Sequence, residues 1–471
     1  SHYDKIEVDS AIQLQAPFEK PVTISKPYSI ASSESLEDNA YLSYNVAIGT
    51  NLESELTLAF DVLDYALLSA PGAPLKQALI DAGIGKDIMG GFDNSTLQPI
   101  FSVVAKNANK EDEEKFVGII EDTLKKIVKD GLNRKSLLAG INSEEFKFRE
   151  ADYGNFPKGL IYGLSCMDSW LYEPFLYLKI LDVFAALKEK IETGYFEELI
   201  QKYLLDNSHK SYVSIEPEKG LNARLEKELE EKLAAYKKDL SEEEIDKLVE
   251  DTKHLKQYQE EPSPKEDLMK IPMLKRQDMK REAQPLVYEK VSCNGIETIH
   301  TNIYSNGIHY LNLMFDISDI TEEELPYLGV LKAVLGYMDT EHYNYADLAN
   351  EINLMTGGIS SQINIYADTK KKDSFHAKYE VRSKILYQNL EEGLRLLSEI
   401  LMGTQITDEK RLYEILARIK SRLQMSLSSA GHSVSAMRAM SYFSPVARFN
   451  DLVGGIALYR TIAELEEHFE E

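Results

Sequence analysis

The residues from Met338 to His342 (Met-Asp-Thr-Glu-His) differ at one position from H-x-x-E-H. In that signature two histidines hold a zinc ion and the glutamate activates the zinc-bound water. Both imidazoles must project from one helix face, and a thioether such as Met338 does not suit zinc beside a nitrogen ligand. An internal repeat, described below, also places this segment at the end of a helix. We therefore predict that Glu341 and His342 are solvated loop residues.

The other residues that could do chemistry form no recognised catalytic arrangement. Of the remaining histidines, only His300 and His309 flank a predicted hairpin, where an exposed or hydrogen-bonded pair is the alternative to a ligand pair. The chain has no G-x-S-x-G turn and no phosphate-binding glycine loop. Cys166 and Cys293 match no metal or redox spacing and indicate two buried thiols in a reducing compartment. We predict no catalytic residue and no metal ligand in this chain.

The composition excludes two classes of partner. A net charge of −25 argues against nucleic acid, which requires a basic face. No apolar run approaches the roughly 20 residues of a membrane helix, and no signal peptide can be identified. The acidic surface either keeps the protein soluble or attracts basic peptides by electrostatic steering, and charge alone leaves both open.

The chain resembles itself at a spacing of about 267–270 residues. Each copy has, in order, a strand, a helix, a glycine pair, a second strand and an amphipathic helix. The first copy has them at 41–50, 59–85, 90–91, 99–107 and 113–131. The second copy has them at 309–318, 327–353, 357–358, 360–368 and 386–403. A further charged helix follows in both copies.

The repeat predicts an α+β fold: two related α/β domains, each a mixed, largely antiparallel sheet with packed helices, joined by a helical hairpin. We place the domains at 1–218 and 286–471, with the hairpin at 219–285. The first copy closes with a strand at 207–218, whereas the second stops inside the matching helix at 461–471. Since the chain also begins without methionine, we expect it to be cut at both ends.

Residues 219–260 predict two helices of the hairpin. Leucines recur every four residues from Leu221 to Leu233, so each helix is expected to bury a narrow stripe. Ser241 and Glu244 have the form of a capping box. A hinge or strap and a passive spacer remain alternative roles. Beyond the hairpin, Asn294-Gly295 and Asn306-Gly307 predict tight strand turns.

The glycine pairs are the candidate functional residues. Glycine permits close approach of another backbone, so the pairs are candidate contacts to an extended peptide; a turn or bulge needed only for folding is the alternative. The candidate substrate-chamber residues are Gly90, Gly91, Phe92, Gly357, Gly358, Ile359 and Ser360.

Several segments together resemble a known family. They are "IEVDSAIQLQAPFEKP" (6–21), "YALLSAPGAPLKQALIDAGIGKD" (65–87), "FPKGL" (156–160), "IPMLKRQDM" (271–279), "LMTGGIS" (354–360) and "GHSVSAMRAMSYFSPVARFNDLVGGI" (431–456). They are similar to the presequence-protease and falcilysin branch of the pitrilysin (insulinase) zinc metallopeptidases, from about residue 4 to the end.

The resemblance implies a specific arrangement. Such enzymes have four related α/β domains in two halves that enclose a chamber, with a helical hairpin between the halves. This chain then corresponds to the second domain, the hairpin and most of the third domain. The zinc motif belongs to the first domain and further active-site side chains to the fourth, so no family residue is carried over to this sequence. Zinc is expected in the full-length protein, located in a bacterial cytoplasm or an organellar matrix.

Three functions follow as hypotheses. The first is the non-catalytic centre of a zinc endopeptidase that degrades unstructured peptides, forming chamber wall and hinge. Its partners are peptide substrates and the missing catalytic and fourth domains of the same polypeptide. The second is a catalytically inactive family member that acts as a scaffold or peptide-binding protein. The third is a complete protein that binds peptides without cutting them.

Overall fold

The computed structural model describes residues 6–279, 281–282, 285–305, 307–371 and 374–470. These residues group into two compact units. The main unit comprises the described parts of Ser1–Tyr28, Ser33–Pro217 and Asn306–Glu471 and therefore contains both copies of the repeat. The small unit comprises Ser29–Ser32 and Glu218–Ser305. The predicted domain boundaries at 218/219 and 285/286 stay predictions.

The first copy is built on a five-stranded sheet in the order β1-β5-β2-β4-β3. Its elements are β1 (Val22–Ile30), β2 (Ala40–Ala47), α1 (Ser54–Asp64), α2 (Pro74–Asp81), β3 (Asp87–Asp93), β4 (Ile100–Ala108), α3 (Glu113–Asp130), α4 (Arg134–Glu150), α5 (Lys158–Met167), α6 (Leu181–Lys190), α7 (Tyr195–Leu199) and β5 (Lys210–Lys219). Strand β2 pairs antiparallel with both β4 and β5. The sequence predicts alternating burial of Tyr44, Val46 and Ile48 in this strand region, and it is confirmed, since all three are fully buried.

The small unit contains the predicted helical pair. Its elements are α8 (Leu221–Asp239), α9 (Glu242–Glu260), α10 (Lys265–Leu268), β6 (Glu289–Cys293) and β7 (Ile296–His300). The capping box is present, with the Ser241 hydroxyl accepting from the Glu244 amide and the Glu244 carboxylate accepting from the Ser241 amide. The predicted turn at Asn294-Gly295 is also present, with φ of 50° and 87°. Asn306 lies outside the described residues.

Three expectations that involve residues of the small unit are wrong. Leu221 at the start of α8 is buried, but Leu225, Leu229 and Leu233 are 48–55% exposed, so the predicted buried stripe does not continue along the helix. Cys166 is buried as predicted, but Cys293 is exposed. It ends strand β6 of a two-stranded sheet whose β6 residues are all exposed. His300 ends β7 and His309 lies in β8, and these strands belong to different sheets, so the hairpin predicted between the two histidines does not form.

The second copy has a three-stranded antiparallel sheet in the order β8-β10-β9. Its elements are β8 (Ile308–Asp316), α11 (Leu325–Val334), α12 (Tyr345–Met355), β9 (Ile359–Ala367), β10 (Phe375–Leu386), α13 (Leu390–Gly403), α14 (Glu409–Ser429), α15 (Gly431–Met440), α16 (Pro445–Gly454) and α17 (Ile456–Glu467). Together with the first copy, this sheet confirms the α+β class.

The strand correspondence of the two copies differs from the prediction. The order β2-β4-β3 in the first sheet matches β8-β10-β9 in the second, so β9 corresponds to β3 and β10 to β4. The prediction that strand 99–107 corresponds to strand 360–368 is therefore wrong, because the sequence analysis misses one strand in each copy, β3 and β10.

The predicted helix over 59–85 is not continuous. The chain leaves the helix after the π-helical turn Tyr65–Ser69, and α2 then begins with Pro74 in its first turn.

The second predicted helix, over 327–353, is interrupted as well. Helix α11 ends at Val334, Gly336 has a φ of +84°, and the Asn344 side chain caps the start of α12.

Among the described residues, no helix is both long and apolar enough to cross a lipid bilayer.

Candidate functional site

The pentapeptide that resembles a zinc signature lies in the loop between α11 and α12. Met338 is fully buried in a small cluster with Val334 and Ile415. The backbone amide of His342 donates to Glu399 Oε1 at 2.9 Å, and His342 Nδ1 lies 3.0 Å from Glu399 Oε2. Across the described ranges, no group of three or more His, Cys, Asp or Glu side chains is placed to hold a metal ion.

Glu399, the partner of His342, is held in its ionised form. Its side chain is only 9% exposed. Burial raises its pKa, but hydrogen bonds from Thr340 and His342 outweigh that effect and lower the pKa. The contact therefore fixes the loop to helix α13 through a charged acceptor.

The first glycine pair lies inside β3, which is the outermost strand of its sheet. Gly90 is opposite Val103, and a Cβ at Gly90 would lie 2.1 Å from the Ser102 carbonyl oxygen. A Cβ at Gly91 would meet nothing within 4 Å. Phe92 packs on Phe60 with the ring centroids 5.4 Å apart. Gly90 is thus required by strand packing, whereas Gly91 has open space beside it.

The second glycine pair directly precedes β9, again an outermost strand. A Cβ at Gly357 would lie 2.1 Å from the Phe146 ring, and the Gly357 amide donates to the Lys384 carbonyl at 2.7 Å. Gly358 has a φ of +118°, a conformation that side chains rarely adopt. Ile359 packs partly buried in the core, and Ser360 is exposed.

The structure therefore places the two glycine pairs at equivalent edges of the two sheets. An edge strand presents unpaired backbone N–H and C=O groups that can accept an added strand. The sequence shows the glycines but not the edge position, because pairing order depends on contacts between distant residues.

Helices α4 and α12 carry one contact surface between the copies. Asn353 donates to the Tyr65 hydroxyl at 2.7 Å, and Asn350 donates to Ser136 Oγ at 3.0 Å. Lys135 forms an ion pair with Glu351, whose side chain is 12% exposed. These polar contacts, which the sequence analysis did not predict, fix the position of one copy against the other.

Helix α14 of the second copy provides another contact surface. Lys410 pairs with Asp81 at 2.6 Å near its start. Farther along, the Ser421 carbonyl accepts a hydrogen bond from Lys106 Nζ at 3.1 Å. One side of a cavity of about 360 Å³ is formed by this helix and the opposite side by residues of the first copy.

An apolar segment of the main unit is exposed. It runs through α5 and the turn after it, and its large side chains are 47–65% exposed at Phe156, Met167, Trp170, Tyr172 and Phe175. Cys166 in the same segment is buried, so the segment has one covered and one open face.

Comparison with known families identifies the chain. Residues 215–465, more than half of the chain, match the family model of the region associated with peptidases of subfamily C of family M16. Residues 1–143 match the model "Peptidase M16 inactive domain". The first part of the chain therefore corresponds to a non-catalytic part of an M16 peptidase.

Curated relatives extend the likeness along the whole chain. Protein HypA of Clostridium perfringens is 38% identical over 99% of this chain and 48% of its own length. Presequence protease 1, chloroplastic/mitochondrial, of Arabidopsis thaliana is 29% identical over 98% of this chain and 43% of its own length. The crystal structure of pitrilysin aligns with 95% of this chain and 45% of its own, at 12% identity and a TM-score of 0.40. The chain spans about half the length of the curated relatives it matches, and it belongs to the pitrilysin (M16) peptidase family, in the branch similar to presequence proteases.

Proposed function

We propose that this chain is the non-catalytic centre of a zinc-dependent endopeptidase that degrades unstructured peptides, where it forms chamber wall and hinge. The observation that carries the proposal is the match of residues 1–143 to an inactive peptidase domain, together with relatives named presequence protease. The catalytic residues, the zinc ligands and the fourth domain are proposed to lie in other parts of the same polypeptide.

The substrate role is assigned to the two sheet edges. Strands β3 and β9 both end their sheets, and both carry or follow a glycine pair. An extended peptide that adds to such an edge gains backbone hydrogen bonds without any sequence requirement. The charge of −25 favours basic peptides, because an acidic surface raises their local concentration.

The hinge role is assigned to the helical pair α8–α9. These helices belong to a compact unit separate from the two copies. A bacterial cytoplasm or an organellar matrix is the proposed compartment, since relatives occur in bacteria and in organelles.

Hydrogen exchange tests the substrate role. A basic, unstructured peptide added to the full chain is expected to slow amide exchange in β3 and β9, with the strongest effect near Gly91 and Gly358. The edge strand β1 of the same first sheet is the internal control and should be unaffected. Equal protection of β1, or none in β3 and β9, would contradict the assignment.

A second function fits the same family match. A domain that resembles an inactive peptidase domain is equally suited to a family member that binds peptides or acts as a scaffold. The reading frame that flanks this chain decides between the two. An intact H-x-x-E-H with a later glutamate ligand supports the peptidase, whereas a degraded motif supports the scaffold.

A further inference from the structure

The 360 Å³ cavity between the two copies differs from the rest of the molecule in its charge. Its walls come from α2, the loop before β3, the end of β4, and the first half of α14, all within the main unit. Five basic and three acidic side chains line it, in a chain whose net charge is −25. Its volume falls in the range of small-molecule sites.

Three of the basic side chains that line the cavity have acidic partners. The pairs are Lys86 with Asp38 at 3.5 Å, Lys410 with Asp81 at 2.6 Å, and Arg411 with Glu414 at 2.9 Å. These pairs satisfy their cations without a ligand.

Lys76 and Arg418 are different. Both are half-buried and line the cavity and a smaller one beside it. Within the part of the chain that the structure describes, neither has a hydrogen bond or ion pair to a carboxylate; Arg418 only stacks on Tyr337, 5.1 Å from the ring centroid. Burial, together with the charge of Arg418, lowers the pKa of Lys76 to about 8. Burial and the charge of Arg422 likewise lower the pKa of Arg418.

Asp87 supplies the opposite charge in the same wall. It is 2% exposed, and neither of its carboxylate oxygens has a hydrogen-bond partner. Its nearest cation is the exposed Arg422, with Nε 3.6 Å from Oδ2, beyond hydrogen-bonding distance. Leaving a buried carboxylate without hydrogen bonds is costly, so this group lacks a donor.

The remaining wall is apolar. Ile415 and Ala417 are buried and Ile80 is partly buried, and all three line the cavity. The cavity thus combines two cations with no described carboxylate within ion-pair distance, one carboxylate with no hydrogen-bond donor, and an aliphatic surface. The charge of Asp87 acts on both cations and opposes the lowering of their pKa values.

We infer that this cavity binds a small amphoteric organic acid with an aliphatic side chain, of which a hydrophobic amino acid is the simplest form. Lys76 and Arg418 hold its carboxylate, and Asp87 accepts hydrogen bonds from its ammonium group. Ile80 and Ile415 contact its side chain. A simple anion without a proton, such as sulfate, leaves Asp87 without a donor, and a simple amine leaves both cations without an acceptor. This inference does not depend on the peptide-binding role of the sheet edges.

Three probes with the same branched aliphatic side chain test the assignment on the full chain by titration calorimetry at pH 7. L-Leucine carries both charged groups, 4-methylpentanoate lacks the ammonium group, and 3-methylbutylamine lacks the carboxylate. We expect leucine to bind at least about tenfold more tightly than 4-methylpentanoate, a difference of about 1.4 kcal/mol, and the amine not to bind. No leucine binding at millimolar concentration, or equal binding of leucine and either analogue, overturns the proposal.

Variants assign the binding to this cavity. Lys76→Met and Arg418→Met should each weaken leucine binding at least about tenfold, and Asp87→Asn should reduce it to the level of 4-methylpentanoate. Lys126→Met, an equal charge change on the exposed side of α3, is the matched control and should leave binding unchanged. Melting curves establish that each variant is folded. Unchanged leucine affinity in folded Lys76→Met and Arg418→Met overturns the proposal.

Discussion

Lys384 of β10 places its ammonium group 2.9 Å from the carboxylate of Glu150, the last residue of α4 in the other copy. The Tyr310 hydroxyl donates to the same carboxylate at 2.7 Å. Burial lowers the pKa of Lys384, but the hydrogen bond and charge of Glu150 outweigh it and raise the pKa. The Glu150 side chain is only 8% exposed and that of Lys384 is 35% exposed, so the two copies share a partly buried charge pair.

Lys384→Met should therefore destabilise the protein by about 1–3 kcal/mol, since it leaves the Glu150 carboxylate with one donor fewer. Lys378→Met is the control, because Lys378 lies on the same strand but pairs with Asp316 of its own copy, an acid that is 59% exposed. That change should cost under about 1 kcal/mol. Urea denaturation measures the free energy of unfolding of both variants. Equal losses would show that the ion pair between the copies adds no stability beyond that of a pair within one copy.

The two glycines of β3 should respond differently to alanine. Gly90→Ala places a methyl group 2.1 Å from the Ser102 carbonyl oxygen, so we expect a loss of about 1–3 kcal/mol. The added methyl group of Gly91→Ala meets no atom within 4 Å. The free energy of unfolding of this variant should stay within about 1 kcal/mol of that of the parent. Thermal unfolding distinguishes them, and similar melting temperatures would contradict the packing described for this edge.

Asp61 of α1 should make the stability depend on pH. Burial, together with the charges of Glu144 and Asp64, raises its pKa from 3.8 to about 7. A pKa that is higher in the folded than in the unfolded state means that the folded protein holds the proton more tightly. The protonated Asp61 carboxyl group therefore contributes to the free energy of unfolding. This contribution is fully present below about pH 4 and is lost as the pH rises through about 7.

Asp61→Asn removes the group whose ionisation destabilises the folded protein as the pH rises. The melting temperature of this variant, relative to that of the parent, should therefore increase between pH 5 and pH 8. The exposed Asp122, whose side chain is 80% exposed, provides the control substitution Asp122→Asn, with a constant difference over the same range. A flat difference for Asp61→Asn would show that Asp61 is ionised without penalty.

His342 should contribute nothing to zinc binding. Its Nδ1 faces the Glu399 carboxylate, and Met338 points into the core instead of towards a metal. We expect calorimetric titration of the chain with zinc to give the same result for the parent and for His342→Ala. A stoichiometric tight site in the parent that disappears in His342→Ala is the outcome against this expectation.

Local signals predicted much of the architecture. The alternation in β2 and the cap at Ser241 depend only on neighbouring residues, and both were found. Strand β10 was missed although Ala377, Tyr379 and Val381 alternate, because the charged residues Lys378 and Glu380 stand between them. Burial raises the pKa of Glu380, but hydrogen bonds from Tyr366, Arg382 and Asn312 lower it to about 2. A charged residue can occupy the centre of a sheet only through such partners, which the local pattern does not contain.

The site was less predictable than the fold. Gly90 and Gly91 were identified from composition, but their place in an edge strand depends on pairing with β4. Nothing in the local sequence marks Lys76, Asp87 and Arg418 as a group, since they come from α2, β3 and α14. Only the docking of the two copies brings them together.

Trp170 gives the exposed apolar segment a spectroscopic consequence. It is the single tryptophan of the chain, and it is 61% exposed. The emission maximum of Trp170 in the native protein should therefore lie near that of an indole in water, and complete unfolding should shift it little. A blue shift, or protection from a soluble quencher, would instead report that another surface has covered this segment. The indole is thus an optical sensor of contact and not of folding.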